Sequence, residues 1–180
     1  MIPRRSPGAL CLSLLSIAAC GKEEPGPGDQ TPTCVQGPMS VEVGTGQTTF
    51  VQMAGGGDLP FYMGPQGGYH VWGSVRARSY TPAASSDPND PDHPVIRFLL
   101  QRGSEAVAGT SPLHWYLAPM GDGWRERTGA FVVMSVPAPP DLEGEAVSLE
   151  VRVTDRCALV GTDARTGVLR FAGPAGGPPP

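Results

Sequence analysis

Between residues 146 and 154 the chain alternates strictly. Val147, Leu149, Val151 and Val153 are apolar, whereas Ser148, Glu150, Arg152 and Thr154 are polar. A period of two is the signature of a β-strand that buries one face. In "GAFVVMSV", Phe131 and Val133 alternate with Ala130, Val132 and Met134, and "PVIRFLLQR" from Pro94 is a third apolar run. Further strands are expected at 40–43, 48–53 and 162–171. No window of about 11 residues or more carries a helical repeat, and 25 Gly with 21 Pro would interrupt one. Roughly six to nine short strands separated by turn residues predict an all-β domain, a single antiparallel β-sandwich. No internal repeat points to a propeller or a solenoid.

The closing stretch "AVSLEVRVTDRCALVGTDARTGVLRF", residues 146–171, resembles the last hairpin of immunoglobulin-like or fibronectin-type bacterial surface modules. The resemblance rests on alternation and turn placement, and it implies that architecture for residues 34–171. The antibody-type Cys…Trp…Cys arrangement is absent, because Cys34 precedes the first strong strand.

The stretch "GPQGGYHVWGSVRARS", residues 64–79, reads as a turn, "GPQGG", feeding a strand from Tyr69 to Arg78. Alternation puts Tyr69, Val71, Gly73, Val75 and Ala77 on one face, with His70, Trp72, Ser74, Arg76 and Arg78 on the other. The first set reads as core. The second would present His70, Trp72, Arg76 and Arg78 as a row suited to stacking and cation–π contact with a protein partner. Trp72 is also the largest apolar group here, and its burial would invert the register near the turn. Both readings stand at this stage. A phosphate-cradling loop needs a Lys and Ser/Thr with a following helix, or a βαβ unit, and neither context exists. "GPQGGYHVW" is similar to a phrase in Gly/Pro-rich bacterial lipoproteins, a group that brings no activity with it.

At the N-terminus, Arg4 and Arg5 precede an apolar run of 11 residues, Ala9 to Ala19. This has the form of a secretory signal peptide, residues 1–19, and is shorter than the about 20 residues of a membrane-spanning helix. Ile17-Ala18-Ala19-Cys20-Gly21 resembles the lipobox of bacterial lipoproteins. The resemblance implies cleavage before Cys20, diacylglyceryl attachment to its thiol and acylation of the new amino terminus. Two or more acyl chains anchor firmly where a single one does not. Gly21, in place of the Asp common in inner-membrane lipoproteins, favours the outer membrane of the cell envelope.

Of the 13 Lys+Arg and 17 Asp+Glu, only Arg4 and Arg5 leave with the signal, so the mature chain of 161 residues has a net charge of −6. That balance gives no electrostatic reason to bind nucleic acid. Residues 20–33, the lipidated cysteine and "GKEEPGPGDQTPT", offer no apolar side chain to a core and read as a flexible tether reaching at most about 45 Å. Residues 172–180 read as a disordered tail. With Cys11 removed and Cys20 acylated, Cys34 and Cys157 remain, and two cysteines in an oxidising compartment are expected to pair.

Other chemistry is sparse. His70, His93 and His114 have no ligand-pair spacing, although a site could assemble in space. "SSDPNDPDHP" clusters Asp87, Asn89, Asp90 and Asp92, oxygen ligands of the type calcium takes. It departs from the EF-hand pattern and resembles a cadherin-type linker only faintly, so a solvated acidic loop is the plain reading. "SPLHWYLAPMGDGWRER" carries Trp115 and Trp124, which could stack on a glycan or fill the core. No nucleophile elbow, zinc-protease helix or Ser-x-x-Lys motif is present, and no cofactor is expected. The expectation is a non-enzymatic, lipid-anchored envelope protein making protein contacts. A glycan- or cation-binding receptor is the alternative, and a hydrolase on a β scaffold the third.

Overall fold

A computed structural model describes residues 33–135 and 141–175. The chain divides into two units, Met1–Pro32 and Thr33–Pro180. The expected signal peptide, Cys20 and all but Thr33 of the expected tether lie outside the described residues.

The second unit is all-β, as the alternation predicts. Its strands are β1 (Ser40–Thr45), β2 (Val51–Gln52), β3 (Gly57–Met63), β4 (Tyr69–Arg78), β5 (Val95–Arg102), β6 (Glu105–Gly109), β7 (Leu113–His114), β8 (Ala118–Pro119), β9 (Arg125–Met134), β10 (Ala146–Thr154) and β11 (Val160–Pro174). They form one sheet, in which β4, β3, β11, β10, β5, β6 and β9 follow one another and β9 pairs back onto β4. The result is a closed seven-stranded barrel, where the sequence predicted two packed sheets. The expected antiparallel pairing fails at one seam: β11 and β3 are parallel, with Leu169 opposite Leu59 and Phe171 opposite Phe61. Closure removes the open edges that a sandwich retains. β11 also runs to Pro174, into the stretch read as tail.

The interior is filled by inward-facing side chains, as a barrel of this strand number permits. Val147, Leu149, Val151 and Val153 all point inward and are buried, as are Ile96, Phe98 and Leu100 of β5. At about 25 cal/mol per Å², each such side chain contributes about 1.5–3 kcal/mol. Gly73 of β4 faces the same interior. A Cβ there would stand 2.9 Å from Val132 Cγ2 and 3.0 Å from the Phe98 ring, so glycine lets a large ring fill the barrel at this level.

Two further devices position the outer side of β4. Along one edge β4 pairs with β3 through residues 69–71 and with β1 through residues 74–78. The segment after β1 then crosses the outer face of β4. Gly46 O accepts from Ser74 Oγ at 3.0 Å and from the Gly129 amide of β9 at 3.2 Å. Gly129, with φ +74, sits in the irregular stretch between the Gly73 and Val75 pairings, and a Cβ on it would meet Gln47 O at 2.5 Å. The expected strand 48–53 is therefore mostly this strap, with only Val51–Gln52 paired. At the start of the domain, Cys34 and Cys157 form the expected disulfide, with Cα atoms 6.0 Å apart.

Candidate functional site

The β3–β4 connection folds as "GPQGG" implies. Gly67 N donates to Gly64 O at 3.0 Å and Gly64 N to Gly68 O at 2.7 Å, with Gly67 at φ +82. This is the three-residue hairpin loop closed by a left-handed glycine, for which proline supplies the first turn angle.

β4 keeps one alternation of faces throughout, the irregularity against β9 between Gly73 and Val75 notwithstanding. Val71, Val75 and Ala77 are fully buried inside the barrel, and His70, Trp72, Ser74, Arg76 and Arg78 lie on the outer side. No inversion is needed to bury Trp72. His70 is 3% exposed and Trp72 6%, because neighbouring strands cover them. His70 meets Trp72 at 4.7 Å and Phe131 at 4.7 Å, Trp72 meets Phe131 at 4.4 Å, and Tyr62 stands 6.0 Å from His70. The expected exposed row of His70, Trp72, Arg76 and Arg78 is thus corrected. Arg76 is bound to Glu126 at 2.7 Å and stacked on Phe50 at 4.1 Å, and Arg78 remains exposed but lies over Trp124 at 4.6 Å. These guanidiniums satisfy groups of the same chain.

What the outer face does present is Phe131, 54% exposed, and Val133, 51% exposed, both on β9 directly beside the buried pair. Sequence reasoning missed them as surface residues. The signal was available: Ala130, Val132 and Met134 already supply a core face, so a second apolar face on the same strand required another use. Between this pair and the β3–β4 turn runs a cleft of about 290 Å³, lined by Gly64, Pro65, Gln66, Gly68, Tyr69, His70, Phe131 and Val133. Its polar side chains are those of His70, Gln66 and Tyr69. The Nε2 of His70 is enclosed without a partner among the described residues, and desolvation holds the imidazole pKa below the ordinary 6.5. The ring is therefore neutral near pH 7, which suits an uncharged ligand with a carbonyl or amide.

The other candidates are dispersed. Trp115 packs toward Phe98 at 6.3 Å and under Arg127 at 5.6 Å, while Trp124 is covered by Arg78. Within the acidic loop, Asp87 Oδ1 accepts from the Asn89 amide, Asp90 Oδ1 accepts from the Asp92 amide, and Asp92 pairs with Arg156 at 3.1 Å. The first two are turn contacts, and the third is an ion pair to the connection between β10 and β11. Among the described residues no group of three His, Cys, Asp or Glu converges on a metal position. His93 is buried, its Nε2 2.6 Å from Asp87 O, and His114 Nδ1 is 2.9 Å from His93 O, so both fasten the loop from below.

Compared with protein-family models, curated proteins and solved structures, the chain matches none.

Proposed function

We propose that this is a lipid-anchored protein of the bacterial cell envelope, held through Cys20 in the outer membrane, whose barrel recognises an apolar segment of another envelope protein at the cleft beside Phe131. The carrying observation is the pairing of two half-exposed apolar side chains, Phe131 and Val133, with a rigid floor of buried His70 and Trp72. Residues held by packed neighbours lose little conformational entropy on binding, and an aromatic anchor on a preorganised base is a common source of affinity. The lipid anchor rests on the lipobox-like segment 17–21. The glycan alternative has less support, since Trp115 and Trp124 face different partners within the domain.

Two measurements test this. A photo-crosslinking amino acid at position 131 should capture one discrete envelope protein in intact cells, whereas the same group at exposed Val160 should not. Equal capture at both positions, or none at 131, would remove the interface. Labelling with a tagged fatty acid should mark the wild type and fail in Cys20→Ser; retained labelling would remove the anchor.

A further inference from the structure

We propose that the outer face of β5 and β10 binds a small molecule carrying a phosphate group, with the phosphate on Arg97 and Arg152 and the rest of the ligand in the cleft beside Arg97. These strands lie across the barrel from β4. The surface is separate from the cleft at Phe131, and the inference does not rest on the partner reading.

The first argument is charge. Arg97 of β5 and Arg152 of β10 are directly opposite each other in the antiparallel ladder, and both are exposed. Side chains so placed start about 4.5–5.5 Å apart at Cβ, and like charges there repel. Elsewhere the barrel answers a cross-strand arginine with a carboxylate. Arg76 faces Glu126 and Arg102 faces Glu105, each in register and each bound at 2.7 Å. Arg97 and Arg152 have neither an ion pair nor a ring contact among the described residues. Glu150, the next outward side chain along β10, stands opposite Leu99 and forms an ion pair with neither. In a chain with 17 Asp+Glu against 13 Lys+Arg, two adjacent guanidiniums left unanswered mark a place for an outside anion.

The second argument is shape and donor supply. A cleft of about 440 Å³ opens on the β6 side of Arg97, within the size range of small-ligand sites. Leu99, Ala108 and Pro112 give it an apolar side, and the hydroxyls of Ser111 and Ser135 stand at its exposed rim. Thr110 N donates to Phe98 O at 3.1 Å and Phe98 N donates to Thr110 Oγ1 at 3.0 Å, which fastens this wall to β5. On the other side of the arginines, exposed Thr162 of β11 is directly opposite Arg152. Two guanidiniums side by side match the charge and the several acceptor oxygens of a phosphate, and flanking hydroxyls add donors. The apolar side of the cleft then takes a short hydrocarbon part of the same molecule.

The test is an NMR titration of the full chain in maltoside detergent with n-butyl phosphate, and with n-butanol as the uncharged control. The expected result is saturable shifts of the amides of 97, 109–111 and 152 with butyl phosphate alone. Arg97→Gln and Arg152→Gln should each weaken binding about tenfold, whereas Arg170→Gln, on β11 away from the cleft, should leave it unchanged. Without the probe, Arg152→Gln should melt no lower than the wild type, because it removes a repulsion. Absence of saturation, equal shifts with butanol, or equal weakening by Arg170→Gln would overturn the proposal. A lower melting temperature for Arg152→Gln would also overturn it, by showing that the arginine is held by its own chain. Doping the micelles with phosphatidylglycerol separates the lipid source. If that lipid shifts 97 and 152 while butyl phosphate does not, the row meets a membrane surface and the small-molecule site is excluded. Loss of crosslinking at position 131 bears on the partner alone and leaves these results untouched.

Discussion

The imidazole of His70 meets the indole of Trp72 nearly at right angles, ring centres 4.7 Å apart, on the outer side of the strand that closes the barrel. Phe131 stacks against both from β9. The pair is buried although it faces away from the core, and this makes its chemistry that of an interior.

Acid should weaken the fold through His70. Burial lowers its pKa below the 6.5 of the unfolded chain, so the folded protein takes up that proton less readily. Stability from this group is fully present above about pH 6.5 and is lost as the pH falls below it. Melting temperatures at pH 7.5 and pH 5 should differ more for the wild type than for His70→Phe, which keeps a ring and removes the titration. Equal acid sensitivity in both proteins would assign the effect elsewhere.

Exposure separates two substitutions that lie in contact. Trp72→Ala empties a buried site and should cost about 3 kcal/mol or more, so any loss of binding in that variant is confounded by unfolding. Phe131→Ala removes a half-exposed ring and should cost about 1 kcal/mol or less. Urea titration checks the ranking. Phe131→Ala is accordingly the substitution with which to probe recognition.

Asp155 is 4% exposed and organises the connection between β10 and β11. Its Oδ1 accepts from the amides of Cys157 and Leu159, both at 2.9 Å, and its Oδ2 from Thr81 N at 2.8 Å. Asp155→Ala would leave these donors unanswered and should destabilise by roughly 3 kcal/mol. Hydrogen exchange should show the amides of 157, 159 and 81 opening together. Independent behaviour of Thr81 would mean that the carboxylate does not couple the two segments.

Reduction should be costly as well. The Cys34–Cys157 bridge closes a loop with a sequence separation of 123, for which chain-entropy reasoning gives about 5 kcal/mol as an upper figure. Adding a reductant, or making the Cys34→Ser, Cys157→Ser double variant, should lower the melting temperature. An unchanged melting curve would show that the unfolded chain is already compact enough to make closure cheap.

Much of this was legible in the chain. The strict alternation of 147–153 set the face of β10, and "GPQGG" set the turn, because strand faces and turn geometry are local properties. Closure was not legible. It depends on β9 pairing with β4 and on the parallel seam between β11 and β3, contacts between residues far apart in sequence that no period of two encodes. The fate of Trp72 shows the same limit at one residue. Alternation placed it on the outer side, but its burial is decided by Tyr62, His70 and Phe131 on two strands and a neighbour. Arg76 and Arg78 looked available for the same reason, since Phe50, Glu126 and Trp124 reach them only in the fold.

The disulfide has a mechanical side. Residues 35–156 lie within a covalent ring whose clasp sits where the segment before Cys34 joins the domain. A pull on that segment does not peel β1 away strand by strand. It passes at the first residue into the connection between β10 and β11, where Asp155 gathers three backbone amides. Tension applied before Cys34 is therefore taken up by the clasp, and the β4–β9 face keeps its shape.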